Sequence, residues 1–128
     1  MREQIALSYG EGRLRVHIHA TLTVDGAAVI LTGGERPHVG GMAMSVPRAH
    51  TGRPETWITP RPGHRDSDVA TLVAELLCRE TGCCTAVIAG IHIDQATREE
   101  IDLLVENSQE AARRLGDKIK QIWETEHA

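Results

Sequence analysis

The chain has 128 residues, with 14 Lys and Arg against 18 Asp and Glu and a net charge of −4. This length fits a single domain of residues 1–128, and the acidic balance gives no reason to expect binding to nucleic acid or to an acidic membrane. The three cysteines have no metal-ligand or disulfide spacing, and no apolar run approaches the roughly 18 residues of a membrane span. We therefore expect a soluble, cytoplasmic protein whose partner is a small molecule or another protein.

The first part of the chain predicts a strand and then a β-hairpin. Residues 5–9 are a short apolar run before glycines, which is typical of an edge strand. Over residues 13–24 apolar and polar side chains alternate, as in a strand with one buried face. Asp25 and Gly26 then offer the residues of a type I′ turn, and residues 27–32 predict the second strand of the hairpin.

A glycine-rich loop follows the hairpin, and it reads Gly33-Gly34-Glu35-Arg36-Pro37-His38-Val39-Gly40-Gly41. Consecutive glycines turn several backbone amides toward one point and so hold an anion, and Arg36 and His38 add donors. The loop is neither a dinucleotide fingerprint nor a Walker loop. Its composition is equally typical of a tight connection between strands with Pro37 as a rigid corner, so both interpretations stay open.

Two further strands are predicted over residues 42–46 and 55–59. The second lies in a basic, proline-rich segment, residues 47–66, which is long for a connection in a small domain. Such a segment is typical of a binding loop or lid, and equally of a mobile surface connection. It ends with Gly63, His64 and Arg65, which place a histidine and a cation just before a predicted helix.

Two helices are predicted in the second half of the chain. Asp66 or Ser67 caps the first helix, whose apolar residues recur at helical spacing until Gly82 ends it. The spacing of Thr97 and Glu100 is that of a capping box, which starts the second helix.

The second helix carries a long stripe of apolar and small residues, at Ile101, Leu104, Ser108, Ala112, Leu115, Ile119 and Ile122. Gly116 divides this helix in our interpretation. The stripe spans more turns than a domain of this size covers by itself. We therefore expect part of it to pack against another copy of the chain in a homo-oligomer.

Between the helices, the nearly continuous apolar run over residues 83–93 predicts a central strand covered on both faces. The order of elements is three or four strands, a helix, a strand and a long helix. This order predicts an α+β fold, with a mixed or mostly antiparallel sheet of four to five strands and two helices on one face.

The end of the predicted central strand is a second candidate site, and it reads Ala89-Gly90-Ile91-His92-Ile93-Asp94. A strand end that leads into a helix N-terminus favours an anion. His92 and Asp94 also suit a general base with its orienting carboxylate, or a pair of ligands. In the alternative interpretation they are residues of a sheet margin and a turn.

Metal and nucleophile motifs give no further site. The separations of His38, His64 and His92 do not specify zinc, so we predict no metal ligands. No Ser or Cys lies in a nucleophile motif, so we predict no catalytic residue.

Taken together, these segments resemble the small prenylated-flavin chaperone family of LpdD-like proteins, the D subunit of gallate-type and related hydroxyarylic acid decarboxylases. The residues that carry the resemblance are Gly33-Gly34 with Pro37-His38-Val39-Gly40, then Gly63-His64-Arg65, then Ala89-Gly90-Ile91-His92 with Asp94, and the helix start Thr97-Arg98-Glu99-Glu100-Ile101. They lie in matching order and spacing over residues 14–104. Arg65 stands where the family often has Lys, and Gly40-Gly41-Met42 where Gly-Ala-Val is more usual.

The resemblance implies a non-enzymatic protein that binds prenylated FMN, or FMN, after its synthesis by a flavin prenyltransferase. The protein would then deliver the cofactor to a decarboxylase of the prenylated-flavin-dependent class. The implied cofactor-binding residues are Gly33, Gly34, Arg36, Pro37, His38, Gly40, His64, Arg65, Gly90, His92 and Asp94. In this picture the glycines shape the loop, the histidines and Arg65 donate to phosphate or ring carbonyls, and Trp57 or the apolar strand face covers the isoalloxazine.

Two other functions stay open from the residues alone. One is a small histidine-dependent enzyme, with or without a metal, in which His38, His64, His92 and Asp94 act on an acidic metabolite. The other is a structural subunit that assembles through the C-terminal helix and binds no small molecule. A cofactor chaperone or accessory subunit is the interpretation that we prefer over an enzyme.

Overall fold

In the computed structural model, the described residues 3–126 form one six-stranded sheet and two α-helices. The elements are β1 (Gln4–Tyr9), β2 (Val16–Leu22), β3 (Gly26–Gly34), β4 (Gly41–Val46), β5 (Glu55–Pro60), α1 (Asp66–Thr81), β6 (Cys84–His92) and α2 (Arg98–Glu126). The predicted α+β fold is confirmed. The sheet has six strands instead of four to five because the two weakest apolar runs both form strands, β1 and β5, at its two edges.

The strand order is β1-β2-β3-β6-β4-β5, so β6 lies inside the sheet as predicted. β3 and β6 are parallel, and the other neighbouring pairs are antiparallel. Gly34 of β3 pairs with His92 of β6, and Gly41 of β4 pairs with Ala89 of β6. The C-terminal ends of β3 and β6 and the start of β4 therefore meet at the same end of the sheet.

Both helices pack on one face of the sheet, as predicted. α1 contacts β4, β5 and β6, while α2 contacts α1, β1 and β2. Ile18, Leu31 and Val87 are fully buried on this face. Full burial of one such side chain contributes about 1.5–3 kcal/mol, so this face supplies the core.

The prediction that β6 is covered on both faces is wrong. Val87 and Ala89 are buried beneath the helices, but Ile88 on the opposite face is only half-buried. Its neighbours in the register, Ile30 of β3 and Met42 of β4, are exposed. The apolar run reflects the interior position of β6 in the sheet, where apolar residues of adjacent strands flank it, and not a second covering layer.

The predicted β2–β3 hairpin is confirmed, but its turn is not of type I′. The loop closes through the Thr23 amide, which donates to the Gly26 carbonyl at 2.8 Å. Neither Asp25 nor Gly26 has the positive φ that a type I′ turn requires. Gly26 belongs to β3, where a Cβ would press against the carbonyl oxygen of Cys84 in β6.

The predicted capping box at the start of α2 is confirmed. The Glu100 amide donates to Thr97 Oγ1 at 3.1 Å, and the Thr97 amide donates to Glu100 Oε1 at 3.0 Å. The hydrogen bond from the Thr97 amide is the main reason that the pKa of Glu100 lies below its ordinary value. Gly82 ends α1 in the left-handed conformation, with a φ of 71°, as expected.

Two expectations about the helices are wrong. The helix α1 starts at Asp66 itself, and neither Asp66 nor Ser67 caps it, since the residue at the cap position is Arg65. Gly116 does not divide α2, which continues unbroken across it. A glycine inside a helix costs about 1 kcal/mol, and here its small face packs close to Leu77 of α1.

The middle of the apolar stripe of α2 is buried within the chain itself, while Ile101 at its start is exposed. Its buried residues are Leu104, Ser108, Ala111, Ala112, Leu115, Gly116 and Ile119. One chain already covers most of this stripe, and the homo-oligomer stays a prediction. Over residues 3–126, no helix combines the length and apolar character needed to cross a membrane.

Candidate functional site

The loop between β3 and β4, residues 35–40, closes over the end of β6. The amides of Glu35 and Arg36 donate to the His92 carbonyl at 2.7 and 3.2 Å. The amide of Gly40 donates to the Ala89 carbonyl at 2.8 Å. Both ends of the loop are therefore tied to β6.

Glycines permit this close approach. A Cβ on Gly90 of β6 would overlap the backbone carbonyl of His38, and a Cβ on Gly34 would overlap the carbonyl of His92. Gly34 also has a φ of 74°, in the region that favours glycine. These two glycines contact protein atoms, and they fix where His38 and His92 lie.

A turn before α1 brings in the third segment. The His64 amide donates to the Arg61 carbonyl at 3.1 Å. The Arg61 guanidinium in turn donates to the carbonyl of Val39 at 2.8 Å. The segment that precedes α1 is thereby attached to the glycine-rich loop.

The first polar group at this end of the sheet is the Asp66 cluster, which consists of His38, His64 and Asp66. Asp66 Oδ2 lies 3.0 Å from His38 Nε2 and 3.7 Å from His64 Nδ1. The other carboxylate oxygen, Oδ1, accepts the Ile91 amide at 2.9 Å. Asp66 is only 8% exposed, so these contacts replace the water that a carboxylate needs.

The second polar group is the pair of His92 and Asp94. His92 Nε2 lies 3.0 Å from Asp94 Oδ1, and Arg36 Nη2 lies 3.5 Å from the same oxygen. Arg13 donates to the Asp94 carbonyl at 2.9 Å and pairs with Glu100 at 3.1 Å. The side chains of the pair are 47% and 55% exposed. Exposed ion pairs contribute at most about 1 kcal/mol, so this pair is weakly held.

The two groups are adjacent. The ring centroids of His38 and His64 are 5.1 Å apart, and those of His38 and His92 are 6.5 Å apart. Three histidines from three distant segments of the sequence therefore lie side by side.

A cavity of about 540 Å³ opens beside the histidines, between the N-terminal ends of α1 and α2. Small-molecule sites typically measure about 300–1,000 Å³. The polar part of the lining carries both cations and carboxylates, and it consists of His38, His64, Arg65, Asp66, Asp68, His92, Arg98 and Asp102. Its apolar part includes Val69, Ile91, Ile93 and Leu104.

Two arginines make part of the cavity wall positive. Within residues 3–126 the Arg65 guanidinium has no ion-pair partner, while Arg98 pairs with Asp102 at 3.5 Å. Both arginines lie at helix N-termini, where free backbone amides also favour an anion. The unpaired Arg65 therefore gives the cavity one position for an anionic group, beside an apolar wall for the body of a ligand.

The predicted cofactor-binding residues divide into two sets. His38, His64, Arg65 and His92 line the cavity. The others are not part of the lining but belong to the adjoining loops and strand ends, and they are Gly33, Gly34, Arg36, Pro37, Gly40, Gly90 and Asp94. Gly33 packs against the backbone of β2, and Gly40 packs against the side chain of Asp66.

Trp57 does not line the cavity, contrary to our expectation for the isoalloxazine. It lies on β5, where it pairs with Met44 of β4, and it is 51% exposed. The side chains that form the apolar wall instead are aliphatic, among them Val69, Ile91 and Leu104.

Asp66 is the main site residue that we missed in the sequence. We interpreted it as a helix cap, and its carboxylate instead serves His38, His64 and the Ile91 amide. The available signal was an acidic residue directly after a Gly-His-Arg sequence, which brings a carboxylate next to a predicted donor.

The fold and the cavity together define a small α+β protein with a site suited to an anionic, partly apolar ligand. The family model described as "Prenylated flavin chaperone LpdD-like domain" matches residues 10–120, and the chain belongs to this family. The membership confirms the resemblance seen in the sequence and supports a chaperone role.

The other two comparisons concern curated proteins and solved structures. No curated protein matches the chain. Among solved structures, it is similar to a chain of the "Crystal Structure of a Novel Chaperone Complex for Yeast 20S Proteasome Assembly", with a TM-score of 0.62 and 14% identity over 94% of this chain and 96% of that chain. At this identity the similarity shows the fold alone.

Proposed function

We propose that this protein holds prenylated FMN, or FMN, in the cavity beside the three histidines and delivers it to a decarboxylase of the prenylated-flavin-dependent class. The family gives the class of ligand. The observation that carries the proposal is a cavity in which Arg65, free of ion pairs among the described residues, lies beside an aliphatic wall. A flavin prenyltransferase in the cytoplasm is the source of the cofactor in this proposal.

The flavin phosphate fits the cationic side of the cavity. Arg65 is exposed and free of ion pairs among the described residues, so it can donate to a phosphate without first losing a partner. Arg98, at the start of α2, is a second cation of the lining, and it shares its charge with Asp102 at 3.5 Å. His64, at 32% exposure, is a further donor beside Arg65.

The isoalloxazine fits the apolar wall. Val69 and Leu104 are buried core residues whose surfaces reach the cavity, and Ile91, a residue of β6, is half-buried in its lining. Aliphatic side chains hold a flat ring by removing apolar surface from water. The bound flavin supplies its chemistry on the decarboxylase, so this chain needs only to bind, shield and release it.

Release is as important as binding for a carrier. Arg65 and the His92–Asp94 pair are exposed, and water competes with every hydrogen bond that they make. The site thus combines a fixed part, around Asp66, with groups that exchange partners easily. This combination favours transfer of the ligand over permanent retention.

The test is to co-express the chain with a flavin prenyltransferase, purify it, and record its absorption spectrum and the mass of the bound ligand. We expect flavin-like bands and the mass of prenylated FMN. Arg65→Ala should lower ligand affinity about tenfold, which corresponds to one lost charge-assisted hydrogen bond of about 1.5 kcal/mol. The matched control is Arg53→Ala, an exposed arginine in the β4–β5 loop, which should bind as the wild type does.

Histidine variants provide the second arm of the test. His38→Ala and His92→Ala should both weaken ligand retention, and His50→Ala, an exposed histidine in the same β4–β5 loop, should not. A protein that is colourless after co-expression and does not bind added prenylated FMN would overturn the proposal. Unchanged retention in both site variants would overturn the assignment of the site.

A further inference from the structure

We propose that His38, His64 and Asp66 bind a divalent transition-metal ion, with zinc as the ion to test. One ligand atom from each of these residues lies within 4.8 Å of the other two. The site stands on the geometry of this chain, and it replaces our sequence-based expectation of no metal ligand.

The distances suit a metal ion. Nitrogen and oxygen ligands lie about 2.0–2.1 Å from zinc in a tetrahedral arrangement, which places ligand atoms about 3.3 Å from one another. Asp66 Oδ2 is 3.0 Å from His38 Nε2 and 3.7 Å from His64 Nδ1. These two separations need only a few tenths of an ångström of adjustment, and the third, between the two histidine nitrogens, lies within 4.8 Å, so the rings would move together on binding the ion.

The tautomer of His38 points to the same conclusion. His38 Nδ1 lies 2.8 Å from the Arg36 carbonyl, which accepts hydrogen bonds only, so Nδ1 carries a hydrogen. In the neutral ring, Nε2 then presents a lone pair to Asp66 Oδ2, which is also an acceptor. A positive charge must lie between these two atoms to make the contact favourable.

His64 decides in favour of a metal ion over a proton. A proton bridges two atoms, and His38 Nε2 with Asp66 Oδ2 would use it fully. His64 Nδ1 lies 3.7 Å from the same oxygen, which is too far for a hydrogen bond. A metal ion at the centre of the three atoms satisfies all of them.

The surroundings also resemble those of metal sites. A metal-bound histidine usually donates its second ring nitrogen to a carbonyl or carboxylate, as His38 does to Arg36. The second oxygen of Asp66 is likewise held, by the Ile91 amide. His92 is outside the set because its Nε2 is already bonded to Asp94.

Two imidazoles and one carboxylate leave coordination positions open. All three residues line the cavity, so an open position faces it. Nitrogen and oxygen donors of this kind suit zinc and its neighbours in the first transition row. If the proposed function holds, a phosphate oxygen of the flavin occupies the open position. Only this occupant of the open position rests on the proposed function.

The experiment uses the purified full chain without flavin, stripped of metal by a chelator and then titrated with Zn²⁺. We expect one Zn²⁺ per chain. Titration with Co²⁺ should give the intense visible absorption of a site with fewer than six ligands. Loss of a residue that only hydrogen-bonds to a metal ligand lowers metal affinity about 10- to 100-fold. His38→Ala and His64→Ala each remove a ligand itself, so each should lower zinc affinity by more than that.

The control is His50→Ala, whose zinc affinity should match that of the wild type. Circular dichroism checks that each variant is folded, and His64→Ala is the decisive variant because His64 is partly exposed and its loss leaves the core intact. A wild-type chain that takes up no zinc would overturn the inference. So would a folded His64→Ala variant that binds zinc like the wild type, or a His50→Ala variant that loses as much affinity.

The two proposals fail separately. Zinc bound by the flavin-free chain supports the metal site whatever the flavin result. Flavin bound by a chain that takes up no zinc supports the proposed function and overturns the metal site. Zinc binding without flavin binding keeps the metal site and overturns the carrier, leaving the histidine-dependent enzyme as the function to test.

Discussion

The Asp66 cluster and the His92–Asp94 pair have similar chemistry and lie next to each other, yet they differ in burial. Asp66 is 8% exposed and both of its oxygens have partners within the protein. The Asp94 side chain is 55% exposed, and water can replace any partner that it loses. Histidine and aspartate therefore form a group with fixed partners in the Asp66 cluster, and a group that can change partners in the His92–Asp94 pair.

Burial thus divides the site into a part that maintains its structure and a part that can exchange hydrogen-bond partners with a ligand. A buried carboxylate that loses its partners stays desolvated, so the Asp66 cluster holds the three segments in one arrangement. The exposed pair contributes little to stability and is free to bond to a ligand. Substitutions in the two groups should therefore have unequal effects on stability.

Gly90 allows the loop that carries His38 to pack against β6, which ends at His92. Its replacement should therefore have the largest effect on stability. Gly90→Ala places a Cβ on the backbone carbonyl of His38, so the loop over β6 must move. Overpacking against the backbone costs about 3 kcal/mol, which chemical denaturation measures. Gly116→Ala is the control, since its Cβ would meet Leu77 at an ordinary 3.5 Å and should leave stability unchanged or raise it. A Gly90→Ala variant as stable as the wild type would refute the close packing of the loop.

Asp66 and Asp94 provide the direct comparison. Asp66→Ala leaves the Ile91 amide without an acceptor, and we expect it to lower the free energy of unfolding by about 2 kcal/mol. Asp94→Ala should cost less than about 1 kcal/mol. Asp66→Asn keeps an oxygen for Ile91 and should recover part of the loss. Equal losses for Asp66→Ala and Asp94→Ala would contradict the role that we give to burial.

Thr97 tests the start of α2, which carries one wall of the cavity. Thr97→Ala removes the acceptor of the Glu100 amide and should cost about 1 kcal/mol in thermal or chemical unfolding. Thr97→Ser keeps a hydroxyl and should restore most of the stability. An alanine variant with wild-type stability would show that the capping box is unimportant here.

The sequence predicted the elements well where a local pattern determines them. Alternation identified the hairpin strands, and the spacing of Thr97 and Glu100 identified the start of α2. The convergence of His38, His64 and His92 was accessible because each stands within two residues of a glycine. These signals are all contained within short stretches of the chain.

The rest depends on contacts between distant residues. Asp66 serves the Ile91 amide because α1 lies across the end of β6, and the two residues are 25 positions apart. Trp57 was misplaced because the register of β5 determines which side of the sheet it occupies. No local pattern in the sequence specifies either contact.

The smallest expected effect concerns pH. The folded pKa of Glu100 is below its unfolded value, mainly because it accepts the Thr97 amide. The charged form therefore stabilises the fold above the unfolded pKa, and this contribution is lost as the pH falls through the folded pKa. Glu100→Gln should flatten the decrease of stability in that acid range. Unfolding curves that decline equally with pH in both proteins would contradict this.

The carrier function is tested most directly by transfer. The chain loaded with prenylated FMN is mixed with a cofactor-free decarboxylase of the prenylated-flavin-dependent class, and decarboxylation and the flavin absorbance of each separated protein are measured. We predict that the decarboxylase becomes active while the chain loses its flavin absorbance, and that Arg65→Ala carries less cofactor than Arg53→Ala. Flavin that stays on the chain while the decarboxylase remains inactive would contradict the proposal.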